Sequence, residues 1–216
     1  MHLSRVLITG ASSGFGYQLA LEFAKNGKNL FITGRNERRL SRLKKIVDQY
    51  GISCISYAAD LSDHNQLSLL TNKIIEHEVD VLINNAGILC RGMPLFELDK
   101  SYVDEILNIN FTVPILLTFE LKKTLKVVIN INSICGLELK KNRSLYCATK
   151  WGLRAFSDCI KKEDTELYVL DVYPSKLAKD EKDFGINVKE AAKMVYNTYN
   201  TKAITKLVLD GRGEKK

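Results

Sequence analysis

Short apolar runs alternate with amphipathic stretches along the chain, and this alternation restricts the possible folds more than any other feature. The apolar runs have the length of strands, and the stretches between them repeat apolar residues at helical spacing. Parallel strands joined by helices form right-handed crossovers that cover both faces of a sheet. The alternation therefore predicts an α/β fold with one doubly wound parallel sheet of about seven strands. The predicted strands are residues 5–9, 29–33, 52–58, 79–84, 126–132, 167–172 and 206–209, and the longer predicted helices are residues 36–50, 63–77, 98–122, 144–162 and 188–200.

The length and the composition favour one domain without membrane contact. With 216 residues, 45% of them hydrophobic, the chain can bury one sizeable core, and we expect residues 1–216 to form a single domain. The longest apolar runs fall short of a membrane span, and the N-terminus lacks the apolar core of a signal peptide. These features predict a cytoplasmic protein.

The five Cys residues are scattered, odd in number and without CxxC spacing. This pattern argues against a disulfide framework and against a zinc site. We expect reduced, mostly packed thiols and no metal.

The net charge of +7 comes from Lys and Arg residues that are spread over the predicted helices. The simplest interpretation is a solvated basic surface, because no basic stripe interleaved with aromatic residues is present. Nucleic-acid binding is therefore not expected. A small anionic ligand is the better candidate to benefit from the positive field.

A glycine-rich loop directly follows the first predicted strand, with glycines at Gly10, Gly14 and Gly16. Glycines at such a turn let the backbone approach a pyrophosphate, and the N-terminus of the following helix attracts the anion. The alternative is an ordinary Gly/Ser turn that caps a helix. The position of the loop, after the first strand, favours a dinucleotide site of the Rossmann type.

Arg35 follows the second predicted strand, where folds that bind NAD usually carry an acidic residue for the ribose 2′-hydroxyl. A guanidinium at this point suits the 2′-phosphate of NADP, so NADP is favoured over NAD. The alternative is that Arg35, and more readily Arg38 and Arg39, belong to a solvated helix start. Asp60, after the third strand, could bind the adenine amino group or could be a helix N-cap.

Four motifs occur in the order typical of one enzyme family: Thr9-Gly10-x-x-x-Gly14-x-Gly16, Asn84-Asn85-Ala86-Gly87, Ser133 and Tyr146-x-x-x-Lys150. With them the chain resembles the short-chain dehydrogenase/reductase family over essentially its whole length. The resemblance implies a catalytic tetrad of Asn110, Ser133, Tyr146 and Lys150. With the observations above, it assigns cofactor binding to Gly10, Ser12, Ser13, Gly14, Phe15, Gly16, Arg35, Asp60, Leu61, Asn85, Ala86, Gly87, Tyr146, Lys150, Pro174 and Ser175.

Tyr146 and Lys150 alone would be a weak motif, because a Tyr followed four residues later by a Lys arises by chance in a chain with nine Tyr. Their chemistry nevertheless agrees with the resemblance. Residues four apart share a helix face, and a nearby ammonium favours the phenolate over a phenol whose ordinary pKa is about 10. Tyr146 is the predicted general acid and base. The resemblance implies that Ser133 binds the same substrate oxygen and that Lys150 also holds the nicotinamide ribose.

Asn110 is supported by a separate observation. Pro114 lies four residues later in the same predicted helix and has no N–H, so the Asn110 carbonyl lacks its usual helical partner. In the family resembled, this position feeds a water-mediated proton relay. The alternative is a proline kink preceded by an ordinary polar residue.

The segment after the sixth strand departs from the family pattern, which reads Pro-Gly followed by Thr. Here Pro174 is followed by Ser175, which could substitute as a hydrogen-bonding group for the nicotinamide. The segment 175–188 is short and charged, so we expect a reduced or disordered substrate lid and an open site for a bulky or anionic substrate.

Two functions remain open from the sequence. The first is an NADP-dependent oxidoreductase that interconverts a carbonyl and an alcohol, and the second is a catalytically weak nucleotide-binding regulator or scaffold on the same fold. Apolar stripes on the helices of Asn110 and Tyr146 exceed what one sheet face needs. Because family members often pair these helices, a homodimer or homotetramer is expected.

Overall fold

The protein was analysed as a computed structural model that describes residues 4–89, 92–178 and 183–212. Nine strands occur in these ranges, and seven of them form one parallel sheet in the order β3-β2-β1-β4-β5-β6-β9, while β7 and β8 pair with each other. The strands are β1 (Arg5–Ile8), β2 (Asn29–Gly34), β3 (Cys54–Ala58), β4 (Val81–Asn84), β5 (Val127–Ile131), β6 (Tyr168–Pro174), β7 (Leu177–Ala178), β8 (Ile186–Asn187) and β9 (Lys206–Leu209).

Helices connect the strands of the sheet and cover both of its faces. Several begin close to the predicted limits, where an N-cap side chain satisfies the first backbone N–H groups: Asp63, for example, accepts hydrogen bonds from the backbone of Asn65 and Gln66 at the start of α3. The α-helices of the described residues are α1 (Gly14–Lys25), α2 (Glu37–Val47), α3 (His64–Ile75), α4 (Lys100–Leu107), α5 (Val113–Glu120), α6 (Ser144–Glu163) and α7 (Val188–Thr201).

The predicted helix over residues 98–122 is divided into three parts. A π-helical turn, Asn108–Thr112, separates α4 from α5. Pro114 lies at the start of α5, where it cannot donate the backbone hydrogen bond that a continuous α-helix requires. Such π turns are frequent at functional sites.

Two apolar cores lie on opposite faces of the sheet. On one face α1, α2 and α7 pack with side chains such as Phe23, Leu43 and Val195, and on the other α3 and α5 pack with Leu70 and Leu117. A smaller cluster joins α4 and α6. The predicted doubly wound sheet is thus confirmed.

The strand order reverses between β1 and β4, so the connections that follow these two strands lead to opposite faces of the sheet and leave a crevice between them. The loops that carry the glycine motif and Asn85 follow these two strands. No described helix is long and apolar enough to cross a membrane. Of the predicted lid, residues 179–182 lie outside the described residues. The strands β7 and β8 on either side of them were not predicted.

Candidate active site

The glycine loop brings exposed backbone to the N-terminus of α1. Gly10 and Gly14 have φ angles of +66° and +58°, which L-residues rarely adopt, and a side chain at Gly14 would meet only open space. Ser13 is the N-cap residue of α1, but its side chain makes no capping hydrogen bond. The loop therefore presents backbone N–H groups and the positive end of the helix dipole to the crevice.

Gly16 and Asn85 lock the glycine loop to the end of β4. The Asn85 Nδ2 donates to the Thr9 carbonyl at 2.8 Å, and the Thr9 hydroxyl accepts from the backbone N–H groups of Asn85 and Ala86 at 3.0 and 2.9 Å. A Cβ at Gly16 would lie 2.5 Å from the Gly10 carbonyl oxygen and would also collide with the Asn85 side chain. Only glycine fits this position.

Two arginines lie at the far end of the crevice. Arg35 follows β2 and lines the cavity together with Arg39, whose backbone N–H donates to the N-cap residue Asn36 at 2.9 Å. Arg38 instead faces a separate basic groove on α2. All three side chains are exposed, and Arg35 and Arg39 differ from Arg38 in that they line the cavity.

Asp60 lines the cavity and is not a helix cap, because Asp63 has that position. One oxygen of Asp60, Oδ1, accepts from the backbone N–H and the hydroxyl of Ser62 at 3.0 and 2.7 Å. This turn holds the carboxylate beside the buried Leu61, which also lines the cavity.

Ser133, Tyr146 and Lys150 line the same cavity, and all three are at least nine-tenths buried. Lys150 and Tyr146 lie one turn apart on α6, and the Lys150 Nζ is 5.8 Å from the centre of the Tyr146 ring. Ser133 caps the short 3₁₀ helix Ile134–Gly136, where its hydroxyl accepts from the Cys135 backbone N–H at 3.2 Å. The predicted grouping of these three side chains is present.

Burial lowers the pKa of Lys150 from about 10.5 to about 8. Its Nζ donates to the Ile131 carbonyl at 3.1 Å, and the Asn132 side chain donates to the Lys150 carbonyl at 3.1 Å. The ammonium is thus held at a fixed point while its proton is bound less tightly than in water.

Asn110 is buried at the π turn behind the cavity and does not line it. Its Oδ1 accepts from the Ile88 N–H at 2.7 Å, and its Nδ2 donates to the Ile88 carbonyl at 3.0 Å. The Asn110 side-chain amide therefore satisfies both backbone groups of Ile88, in the loop after β4, and holds this loop against the π turn. This clamp was not foreseen from the sequence, which pointed only to the Asn110 carbonyl.

The Ser175 hydroxyl is engaged within the chain itself. It donates to Asp210 Oδ1 at 2.9 Å and accepts from the Gly211 N–H at 2.8 Å. Pro174 ends β6, and both residues line the cavity. The hydroxyl that was expected to replace the missing Thr is therefore already used to hold the segment after β9.

The cavity has a volume of about 910 Å³ and gathers nearly every predicted site residue. Of these residues, only Gly16 and Asn110 lie behind its lining. Several lining residues were not among the predicted ones, including Leu89 and Lys176, and Arg39 had been considered mainly as part of a solvated helix start. Lys176 directly follows Ser175, and Leu89 lies two residues after Gly87, which is the signal that could have identified them. The described residues contain no cluster of three or more potential metal ligands.

A family model described as short chain dehydrogenase matches residues 4–180. The chain belongs to this family. Among curated proteins, benzil reductase ((S)-benzoin forming) from Bacillus cereus is 30% identical to this short-chain dehydrogenase over 184 residues, which are 80% of this chain and 72% of that protein. The chain spans 56% of the length of two further relatives.

Solved structures match this short-chain dehydrogenase over almost its full length. An alcohol dehydrogenase from Thermococcus sibiricus complexed with 5-hydroxy-NADP has a TM-score of 0.91 at 22% identity, with 100% of this chain and 99% of that chain covered. A short-chain dehydrogenase from Sphingobium yanoikuyae in complex with NADPH has a TM-score of 0.84 at 25% identity, with 96% and 87% covered. The predicted family is thus confirmed, and with it the class of dehydrogenases and reductases.

Proposed function

We propose that this short-chain dehydrogenase uses NADP to interconvert a carbonyl and an alcohol, with Tyr146 as general acid and base. The observation that carries the proposal is the meeting of Ser133, Tyr146 and Lys150 with the glycine loop in one cavity. Cofactor and substrate would bind in the same domain.

The lining of the cavity offers groups that suit the anionic parts of an NADP molecule. The positive φ angles of Gly10 and Gly14 and the N-terminus of α1 offer backbone donors for a pyrophosphate. Arg35 and Arg39 would hold the 2′-phosphate, and Asp60 would lie beside the adenine. The cofactor, when bound, supplies or accepts the hydride. NAD, which lacks the 2′-phosphate, would leave both guanidinium groups without this partner.

The proton chemistry belongs to the chain itself. In the reductive direction the Tyr146 hydroxyl gives its proton to the carbonyl oxygen, and Ser133 donates a hydrogen bond to the same atom. Lys150 favours the phenolate that remains, because its ammonium lies beside the Tyr146 ring. In the oxidative direction, the same groups remove the proton from the alcohol.

Asn110 has a positioning role in this proposal, because it lies at the π turn outside the cavity lining. Its side chain fixes the loop at Ile88, while its carbonyl lacks an i+4 N–H because Pro114 occupies that position. We assign that carbonyl to a water-mediated path that resupplies protons to Lys150.

The entrance favours a bulky carbonyl compound with an acidic group. Leu89 lines the cavity and is 81% exposed, and Phe184 is exposed beside Lys176, whose Nζ lies 5.0 Å from the Phe184 ring centre. An apolar body could cover Leu89 and Phe184 while Lys176 binds a carboxylate.

Self-association and a cytoplasmic location belong to the same proposal. Leu107, Phe119 and Trp151 are exposed on α4, α5 and α6, the helices that were expected to pair between subunits. Cys54 and Cys135 are buried free thiols, in keeping with a reducing compartment. Light scattering of the purified protein would decide the subunit number.

The test is an activity assay on a panel of carbonyl compounds, in which the loss of NADPH is monitored by its absorbance. The panel contains neutral and carboxylate-bearing ketones, both aromatic and long-chain. The wild type should consume NADPH with at least one class, and Tyr146→Phe should lower kcat by at least about 100-fold, because acid–base catalysis contributes about 10²–10⁴-fold. NADPH should still bind to this variant.

The engaged Ser175 hydroxyl favours one second candidate, a nucleotide-binding regulator or scaffold. NADPH binding without turnover across the panel, together with no effect of Tyr146→Phe in cells, would favour that candidate over the enzyme.

A further inference from the structure

A row of buried polar side chains crosses three neighbouring strands of the sheet. Asn84, Asn130 and Asp171 are register neighbours on β4, β5 and β6, and each is at most 3% exposed. The Asn84 Nδ2 donates to Asn130 Oδ1 at 2.8 Å. Each residue lies shortly before a cavity-lining segment: Asn85, Ser133 and Pro174, respectively.

Ser157 joins this row to α6. Its hydroxyl accepts from Asn130 Nδ2 at 2.8 Å and donates to Asp171 Oδ1 at 2.7 Å. The Leu153 carbonyl lies 3.0 Å from the same hydroxyl, but a hydroxyl has one proton and the carboxylate is the stronger and nearer acceptor. Lys161 completes the group, with its Nζ 3.1 Å from Asp171 Oδ2.

The same stripe of α6 carries the proposed catalytic side chains. Tyr146, Lys150, Ser157 and Lys161 are spaced by four, seven and four residues, which places them along one face of a helix. This face is hydrogen-bonded to the sheet at two positions along the helix. At the first, Lys150 bonds to Ile131 and Asn132, and at the second, seven residues later, Ser157 bonds to Asn130 and Asp171.

Two separated attachment points restrict the tilt and rotation of a helix more than one point does. With bonds at Lys150 alone, the helix could pivot about that point, and the side chains close to the reacting atoms are sensitive to small displacements. A misplacement of about 1 Å can cost on the order of 100-fold in rate.

We propose that Ser157 and Asp171 are positioning residues, which hold α6 so that Tyr146 and Lys150 meet Ser133 in reacting geometry. The kinetic consequence rests on the proposed function, whereas the attachment of α6 does not. Neither residue lines the cavity.

The test compares Ser157→Ala with Thr71→Val. Among the residues that the structure describes, the buried Thr71 hydroxyl on α3 bonds only to its own helix, at the Leu67 carbonyl, so its replacement controls for loss of a buried hydroxyl away from α6. Ser157→Ala leaves Asn130 Nδ2 and Asp171 Oδ1 without this partner. Ser157→Thr keeps the hydroxyl and should restore the wild-type behaviour.

Three measurements are made on each protein. Backbone amide exchange without cofactor should speed up by about tenfold or more over the first three turns of α6 in Ser157→Ala, and not in Thr71→Val. With an active ketone, kcat should fall by about tenfold or more, while KM for NADPH should change less than about threefold. The primary isotope effect from deuterated NADPH should rise, since the chemical steps would become slower.

Unchanged exchange in α6 and unchanged kcat in folded Ser157→Ala would overturn the proposal. If that variant does not fold, Asp171→Asn decides, because its amide keeps an acceptor for Ser157 but loses the ion pair with Lys161. Faster α6 exchange supports the proposal, and wild-type exchange and kcat overturn it. Absence of any wild-type turnover would instead count against the proposed function, while the exchange data still decide how α6 is held.

Discussion

Arg212 binds Glu138 through two hydrogen bonds, of 2.6 Å from Nη1 to Oε2 and 2.9 Å from Nη2 to Oε1. The pair joins the segment after β9 to the loop between Ser133 and α6. Arg212 also bonds to Asp210, which in turn accepts from the Ser175 hydroxyl. One series of polar contacts thus leads from Glu138 through Arg212 and Asp210 to Ser175, which lines the cavity.

Arg212→Ala should loosen the contacts that hold Ser175 without altering the glycine-loop end of the cavity. Both partners are half-exposed, so the expected effect is a rise of about two- to fivefold in KM for the carbonyl substrate. NADPH affinity should stay unchanged in calorimetry. Lys73→Ala removes a similarly exposed ion pair with Glu76 on α3 and is the matched control. An equal rise in KM in both variants would show that the contacts between Arg212 and Glu138 have no specific role.

Arg35→Ala should weaken NADPH binding by roughly 10- to 100-fold and leave NADH binding unchanged, since only NADPH carries the 2′-phosphate. Arg38→Ala removes the same charge from the same helix start, but Arg38 faces the separate groove on α2. Titrations that follow nucleotide fluorescence would measure both. Equal losses in the two variants would mean that net charge, and not contact, sets the preference.

The buried ammonium of Lys150 predicts a pH-dependent stability. Burial lowers the pKa of Lys150 to about 8 in the folded protein, whereas the pKa in the unfolded chain is about 10.5. Between these values the unfolded chain binds more protons, so stability must rise with pH. Urea unfolding should show the wild type gaining about 1–2 kcal/mol relative to Lys150→Met between pH 8 and pH 9.5. Lys44→Met, on the exposed face of α2, should show no such trend.

Asn110→Asp should lower the stability of the folded protein, although Asp and Asn side chains are nearly the same size. One carboxylate oxygen can still accept from the Ile88 N–H, but the other would face the Ile88 carbonyl, which now receives a bond from Nδ2. A buried acceptor that loses its donor costs about 1–3 kcal/mol, which urea unfolding would detect. Asn72→Asp, on the exposed side of α3, provides the comparison. Equal stability of the two variants would contradict the proposed importance of the Ile88 clamp.

The layered fold could be predicted because its signals are local. The strand of residues 206–209 and the loop at Gly10 need only neighbouring residues to be recognised. The role of Ser175 could not be predicted, because its partners Asp210 and Gly211 are distant in sequence and meet it only when β9 pairs with β6. The sequence did leave one sign of the buried row, since Asp171 and Asn130 interrupt strands that are otherwise apolar.

That row also has a consequence for how the chain reaches its native state. If β5 slid by two residues between its neighbours, either Val128 or Asn132 would replace Asn130. Val128 would leave the Asn84 side chain without its bonding partner on β5 and the Ser157 hydroxyl without the Asn130 amide, and Asn132 would abandon the Lys150 carbonyl. Apolar strands tolerate shifted pairings, but each buried polar group left unsatisfied costs about 1–3 kcal/mol. The three polar residues therefore help to specify the strand register. Sheets with shifted pairing are less stable, and the native pairing has the lowest free energy.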